Sequence, residues 1–158
     1  MRKSSFLSRL KADRILELVE PSEEICSSYL KKADDCLRSS RLLLENELFE
    51  NSIQMSYYTM YNSLLALLFK CGIKSENHAS SILVFKQLFG REDLFGIISR
   101  GKEGRIDAQY YVATNQSEDS ARAMLTSAEE FLVELKLIIT NMKFEDIGRV
   151  RTDFDSIT

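Results

Sequence analysis

The chemistry open to this chain rests on a few side chains. It holds one histidine, His78, and imidazole is the side chain that moves protons near neutral pH without help. Arg105 carries the planar fork that suits phosphate. Asp107 follows two residues on, then Tyr110 and Tyr111, whose faces can stack a nucleobase. Each has a plainer role to weigh against this. His78 can fix a helix start, Arg105 can bridge to Asp107 or to another helix, and the tyrosine pair can plug a bundle end. Tyr57, Tyr58 and Tyr61 read as core and interface packing rather than as base stackers. One histidine rules out HExxH and the paired Glu-x-x-His of a diiron bundle. There is no GxxxxGK[ST], GxGxxG or GxSxG, and a Ser-His-Asp device would need His78 with no nucleophile marked for it. No catalytic residue, metal ligand or cofactor is therefore assigned. Arg105, Asp107, Tyr110, Tyr111 and His78 form the candidate ligand-binding set.

The elements that must position them read as helices. From Ser56 to Cys71 apolar residues fall on nearly every side, without Pro or Gly, which predicts a central helix packed by neighbours. Gly72 offers the positive φ that ends helices. Lys74 to Asn77 reads as a polar turn with two candidate N-caps, Ser75 and Asn77. A second apolar helix follows, carrying Ile82, Phe85, Leu88 and Phe89 and closed by Gly90. Around this hairpin, Ser22 should cap a long amphipathic helix whose stripe runs from Ile25 to Leu44, breaking near 46–51. Ser117 should cap another, striped from Ala121 to Met142. Between them, Gly96, Gly101 and Gly104 each weaken a helix by about 1 kcal/mol relative to Ala, so residues 91–111 are expected as two pieces or one kinked helix, then a loop at 112–116. The spacing of Phe6, Leu7 and Leu10 predicts a short helix within residues 4–19, broken by Pro21. Residues 143–158 are expected as a loosely held tail. The division is thus a 1–21 appendage, a bundle over 22–142 and a 143–158 tail.

Composition agrees. A chain of 158 residues with 44% hydrophobic residues and only seven Gly plus Pro is one helical domain with a real core. A net charge of −3 provides no global field towards nucleic acid. Cys26, Cys36 and Cys71 show no CxxC spacing and no nearby His, so buried free thiols in a reducing cytoplasm are expected. The basic N-terminal stretch has no continuous apolar run of the signal-peptide kind, and no stretch approaches the roughly 20 apolar residues of a membrane span. The expectation is a cytoplasmic chain with no membrane partner.

Within this frame the residues resemble the HEPN family, in its small stand-alone prokaryotic branch. Tyr57-Tyr58-Thr59-Met60-Tyr61 looks like that branch's Y-Y-x-M-[FY] helix, Cys71-Gly72-Ile73 its K-G-I turn, and Asn77-His78 its [TN]-H helix start. Arg105 to Tyr111 resembles its R-x-x-A-[DQ]-Y segment, and Ala128 to Leu132 fits its last helix. The resemblance covers about residues 22–142. It implies an all-α, up-and-down bundle of four or five helices and a homodimer. It also implies a nucleotide or RNA ligand and, for many members, a nucleotidyltransferase-like partner in a toxin–antitoxin pair. Many members are metal-independent ribonucleases with an R-x(4–6)-H motif, and this chain departs there. Before His78 the Arg would stand at Cys71, Gly72 or Ile73. After Arg105, Tyr110 occupies the His position, and a phenol of pKa about 10 is a poor proton acceptor at neutral pH. The resulting expectation is an interaction module binding nucleotide or RNA and/or such a partner. The alternatives are a ribonuclease toxin with a degenerate or relocated site, and a purely structural helical adaptor.

Overall fold

The computed structural model describes residues 5–110, the last by its backbone alone, and 117–157. It is an all-α bundle. In chain order the elements are α1 (Phe6–Ala12), β1 (Leu16–Leu18), α2 (Glu23–Glu45), α3 (Phe49–Lys70), β2 (Ile73–Ser75), α4 (His78–Phe89), α5 (Glu92–Tyr110), α6 (Glu118–Asn141) and α7 (Phe144–Asp155). The centre is α3, which packs against α2, α4, α5 and α6. Tyr57, Met60, Leu64, Leu67 and Leu68 are fully buried along it, as an all-round apolar helix requires. The amphipathic α2 and α6 turn Cys26, Ala33 and Leu37, and Phe131, Leu132 and Leu135, into the same core.

Capping side chains start the helices. Ser22 accepts from Ile25 N–H, Asn77 from Ser80 N–H and Ser117 from Ser120 N–H, each satisfying a donor the first turn cannot bond internally. Asn77, not Ser75, is the cap of α4. Ser75 closes β2, which pairs antiparallel with β1 in the register Leu16 to Ser75 and Leu18 to Ile73. The expected polar turn is thus half of a small ribbon. Gly72 makes the bend before it with φ +70°, and a Cβ there would strike Arg151, Val19 O and Pro21 N.

Of the two forms expected for residues 91–111, the single helix is the one found, and α5 runs unbroken through its glycines. At Gly101 a Cβ would run into Met60 Cε, so the missing side chain lets α5 close on α3, and packing outweighs the propensity cost. Within the 143–158 tail, expected to be loosely held, Phe144–Asp155 form α7, with Val150 and Phe154 buried. Its Arg151 Nη1 donates to the carbonyls of Val19, Cys71 and Gly72 at 2.8, 3.0 and 3.1 Å. Near the other end, α1 buries Leu7 and Leu10, and Lys11 Nζ donates to Phe154 O and Ile157 O. The expected 112–116 loop lies outside the described residues. The three cysteines are free thiols, and burial pushes that of Cys71 up to about 12.

Candidate functional site

Helical geometry gathers the site from three elements. On α3, Tyr57 and Tyr61 lie four residues apart and so on one face, with Tyr58 beside them. The Asn77 cap fixes His78 as the first residue of α4, which places its ring over that face. On α5, Lys102 and Arg105 are three residues apart and share a side. The close approach at Gly101 carries that side onto the tyrosines.

The contacts are specific. His78 Nδ1 lies 2.8 Å from the Tyr57 hydroxyl. The imidazole stacks on Tyr61 at 3.8 Å with 8° between the planes, and meets the Tyr58 ring edge-on at 6.5 Å. The Arg105 guanidinium carbon stands 5.3 Å from the Tyr57 ring centroid and 5.8 Å from that of Tyr58, within cation–π range. Arg105 Nη1 donates to the Tyr58 hydroxyl and to Gln109 Oε1, each at 3.3 Å. His78 and Arg105 thus meet on the same two tyrosines, although they belong to different helices.

The electrostatics are one-sided. Neither Arg105 nor Lys102 forms an ion pair with a carboxylate among the described residues. Arg105 Nε is buried with no hydrogen-bond partner there, a state that usually calls for a missing acceptor. Burial first, then Arg105 and Lys102, hold the His78 pKa below its ordinary 6.5. Burial also drives the Tyr57 and Tyr61 phenols above their ordinary range, so both keep their protons. Two unpaired cations, a neutral imidazole and protonated phenols make a surface suited to an anion. Beside it, Ala79, Ile82, Phe95 and Ile106, with Lys102 and Glu103 of opposite charge, line a largely apolar cleft of about 370 Å³.

Of the expected set, the structure brings His78 and Arg105 together. Asp107 is exposed on α5 and not bonded to Arg105, because residues two apart on a helix do not face each other. The Tyr110 side chain and the whole of Tyr111 lie outside the described residues. Sequence reasoning missed Lys102, whose spacing of three before Arg105 was a usable signal, and gave Tyr57 and Tyr58 only a packing role. Among the described residues no group of three or more His, Cys, Asp or Glu could hold a metal ion, and no helix is long and apolar enough to cross a membrane.

The family model of the HEPN domain matches residues 26–138. A Thermotoga maritima protein named "UPF0332 protein" is 25% identical over 77% of this chain and 96% of its own length. A Methanocaldococcus jannaschii protein named "Putative toxin MJ0605" is 28% identical over 72% of this chain and 87% of its own. A Pyrococcus horikoshii protein, "UPF0332 protein PH1297", is 28% identical over 74% of this chain and 75% of its own.

Proposed function

The chain belongs to the HEPN domain family, and from that premise we propose that it is an interaction module whose Arg105–Tyr58–His78 cluster binds the phosphate of a nucleotide or of RNA. The observation that carries this reading is Arg105, which has no carboxylate partner among the described residues and whose buried Nε has no acceptor there. A phosphate oxygen supplies that acceptor, and the guanidinium fork can take a second. The apolar cleft beside Lys102 suits the flat heterocycle of the same ligand. The test is calorimetric titration with AMP and with a short single-stranded RNA. Binding should weaken with added salt, and Arg105→Ala should lower affinity at least about tenfold, the worth of one charge-assisted contact. Equal binding by the wild type and this variant sinks the proposal.

A second reading is a ribonuclease with a relocated site, favoured by the meeting of His78 and Arg105 on Tyr57. It predicts EDTA-resistant RNA cleavage abolished by either His78→Ala or Arg105→Ala. The binding reading predicts no such cleavage. The relative named as a toxin and the resemblance to paired family members support a protein partner of the nucleotidyltransferase-like kind. Co-purification of such a partner with the full chain tests that.

A further inference from the structure

Resting on the phosphate site just proposed, we infer that Tyr57 is a positioning residue. Its phenol donates to Nδ1 of His78 and so fixes the ring proton on Nε2, which makes His78 a third donor, beside Arg105 and Lys102, to the phosphate. The direction of the 2.8 Å bond decides this. Tyr57 is fully buried, and among the described residues its hydroxyl has no other hydrogen-bond partner. If Nδ1 carried the proton and donated to the phenol oxygen, the phenolic hydrogen would be left buried without an acceptor, which is costly. If the phenol donates, both atoms are satisfied. A doubly protonated ring would add a third cation to Arg105 and Lys102, which face His78 from α5 and lower its proton affinity. The tyrosines of α3 offer no carboxylate to compensate.

Such a bond at one ring nitrogen dictates the state of the other. Nε2 makes no hydrogen bond among the described residues, and His78 is only half-buried, so the Nε2–H remains free for a ligand. Stacking on Tyr61 at 3.8 Å holds the ring plane, and the Tyr57 bond holds its rotation. A histidine so fixed gives a hydrogen bond at Nε2 and cannot accept a proton there. That separates an anion cradle from a proton-transfer device built of the same residue types.

The single histidine makes the test clean. In full-length ¹⁵N-labelled protein at pH 7.5, long-range proton–nitrogen correlations report both imidazole nitrogens. The wild type should show a protonated Nε2 and an unprotonated Nδ1 whose resonance is drawn upfield by its hydrogen bond. Tyr57→Phe, which keeps the buried ring, should admit the Nδ1–H tautomer and so bring the two ring-nitrogen resonances closer together. AMP, and inorganic phosphate in a parallel arm, should shift Nε2 and leave Nδ1 in place. Tyr57→Phe should weaken AMP about three- to tenfold. His78→Gln, which keeps a donor, should bind within about threefold of wild type, while His78→Leu should lose about tenfold. A wild-type ring protonated on Nδ1 overturns the inference whatever AMP does, as does AMP binding that leaves Nε2 unmoved. A ring in the Nε2–H form with no binding of AMP, phosphate or RNA overturns the phosphate site itself and, with it, the donor role of His78.

Discussion

His78 sits where a cation is unwelcome, and pH makes that measurable. Its folded pKa lies below the ordinary 6.5, through burial first and then Arg105 and Lys102. Tyr57, Tyr58 and Tyr61 face it from α3 without charge. Above about pH 6.5 the ring is neutral in both folded and unfolded chains, and its favourable contribution is fully present. As pH falls from there towards the folded pKa, the unfolded chain takes up a proton that the folded one resists, and stability is lost. Urea titrations at pH 7.5 and 5 should therefore show a larger loss for wild type than for His78→Gln; equal losses would mean that the ring is not desolvated as described. Leu64, fully buried on α3, tests the core around the site. Leu64→Ala should cost roughly 2–5 kcal/mol in the same assay, and a loss below about 0.5 kcal/mol would place it on the surface. At this scale the sequence was half legible. His78 and Arg105 stand out by type, since one is the sole histidine and the other carries a phosphate-suited fork shortly before Tyr110 and Tyr111. Their convergence does not, because it depends on where α4 starts and how closely α5 approaches α3, and neither is a local property.

Among the elements, legibility follows the length of the pattern. The all-round apolar α3 and the stripes of α2 and α6 repeat over many turns, and the capping residues Ser22 and Ser117 are where the sequence puts them. The ribbon left no trace. Strands of three residues are too short for their alternation to stand out, and the pairing joins Leu16 to Ser75 across the whole of α2 and α3. In α7 the buried positions are only Val150 and Phe154, one face of a short helix that makes sense once its partner is known. In α5 three glycines left two pieces or one kinked helix open, and the close approach to α3 at Gly101 goes with the single helix. Two alanine substitutions separate these uses of glycine. Gly104→Ala meets only the flexible end of Met124 and removes a propensity cost, so thermal or urea unfolding should show a change between neutral and about 1 kcal/mol more stable. Gly72→Ala sets a side chain at φ +70° against backbone atoms of Val19 and Pro21. It should cost at least about 1–2 kcal/mol and loosen the ribbon.

For the whole molecule, a homodimer needs an apolar face other than that of α3. The apolar surplus of α3, which the sequence offered as an interface, is consumed inside one chain. Phe6, Ile25, Leu42, Leu48, Val133, Leu137 and Phe144 stay exposed; of these Leu42, 57% exposed, lines a cleft of about 460 Å³ between α2 and α3 with Leu43 and Met55, and Leu48 follows it in the connection between the two helices. We propose this face as the dimer contact. Light scattering at micromolar concentration should give twice the 18.2 kDa chain mass, and Leu42→Asp should return the single mass. A wild type already at the single mass refutes it. The clasp made by Arg151 has a consequence in time rather than in space. It joins residues 132 positions apart at Val19 and 79 apart at Gly72, and contacts that close such long loops carry a large entropic cost. They should form late and open first. The Val19 amide, bonded to Gly72 O, and the Ser22 amide, bonded to Phe69 O, should then exchange with solvent through a local opening that begins at the other end of the chain. Arg151→Met should quicken that exchange while leaving the centre of α6 as slow as before.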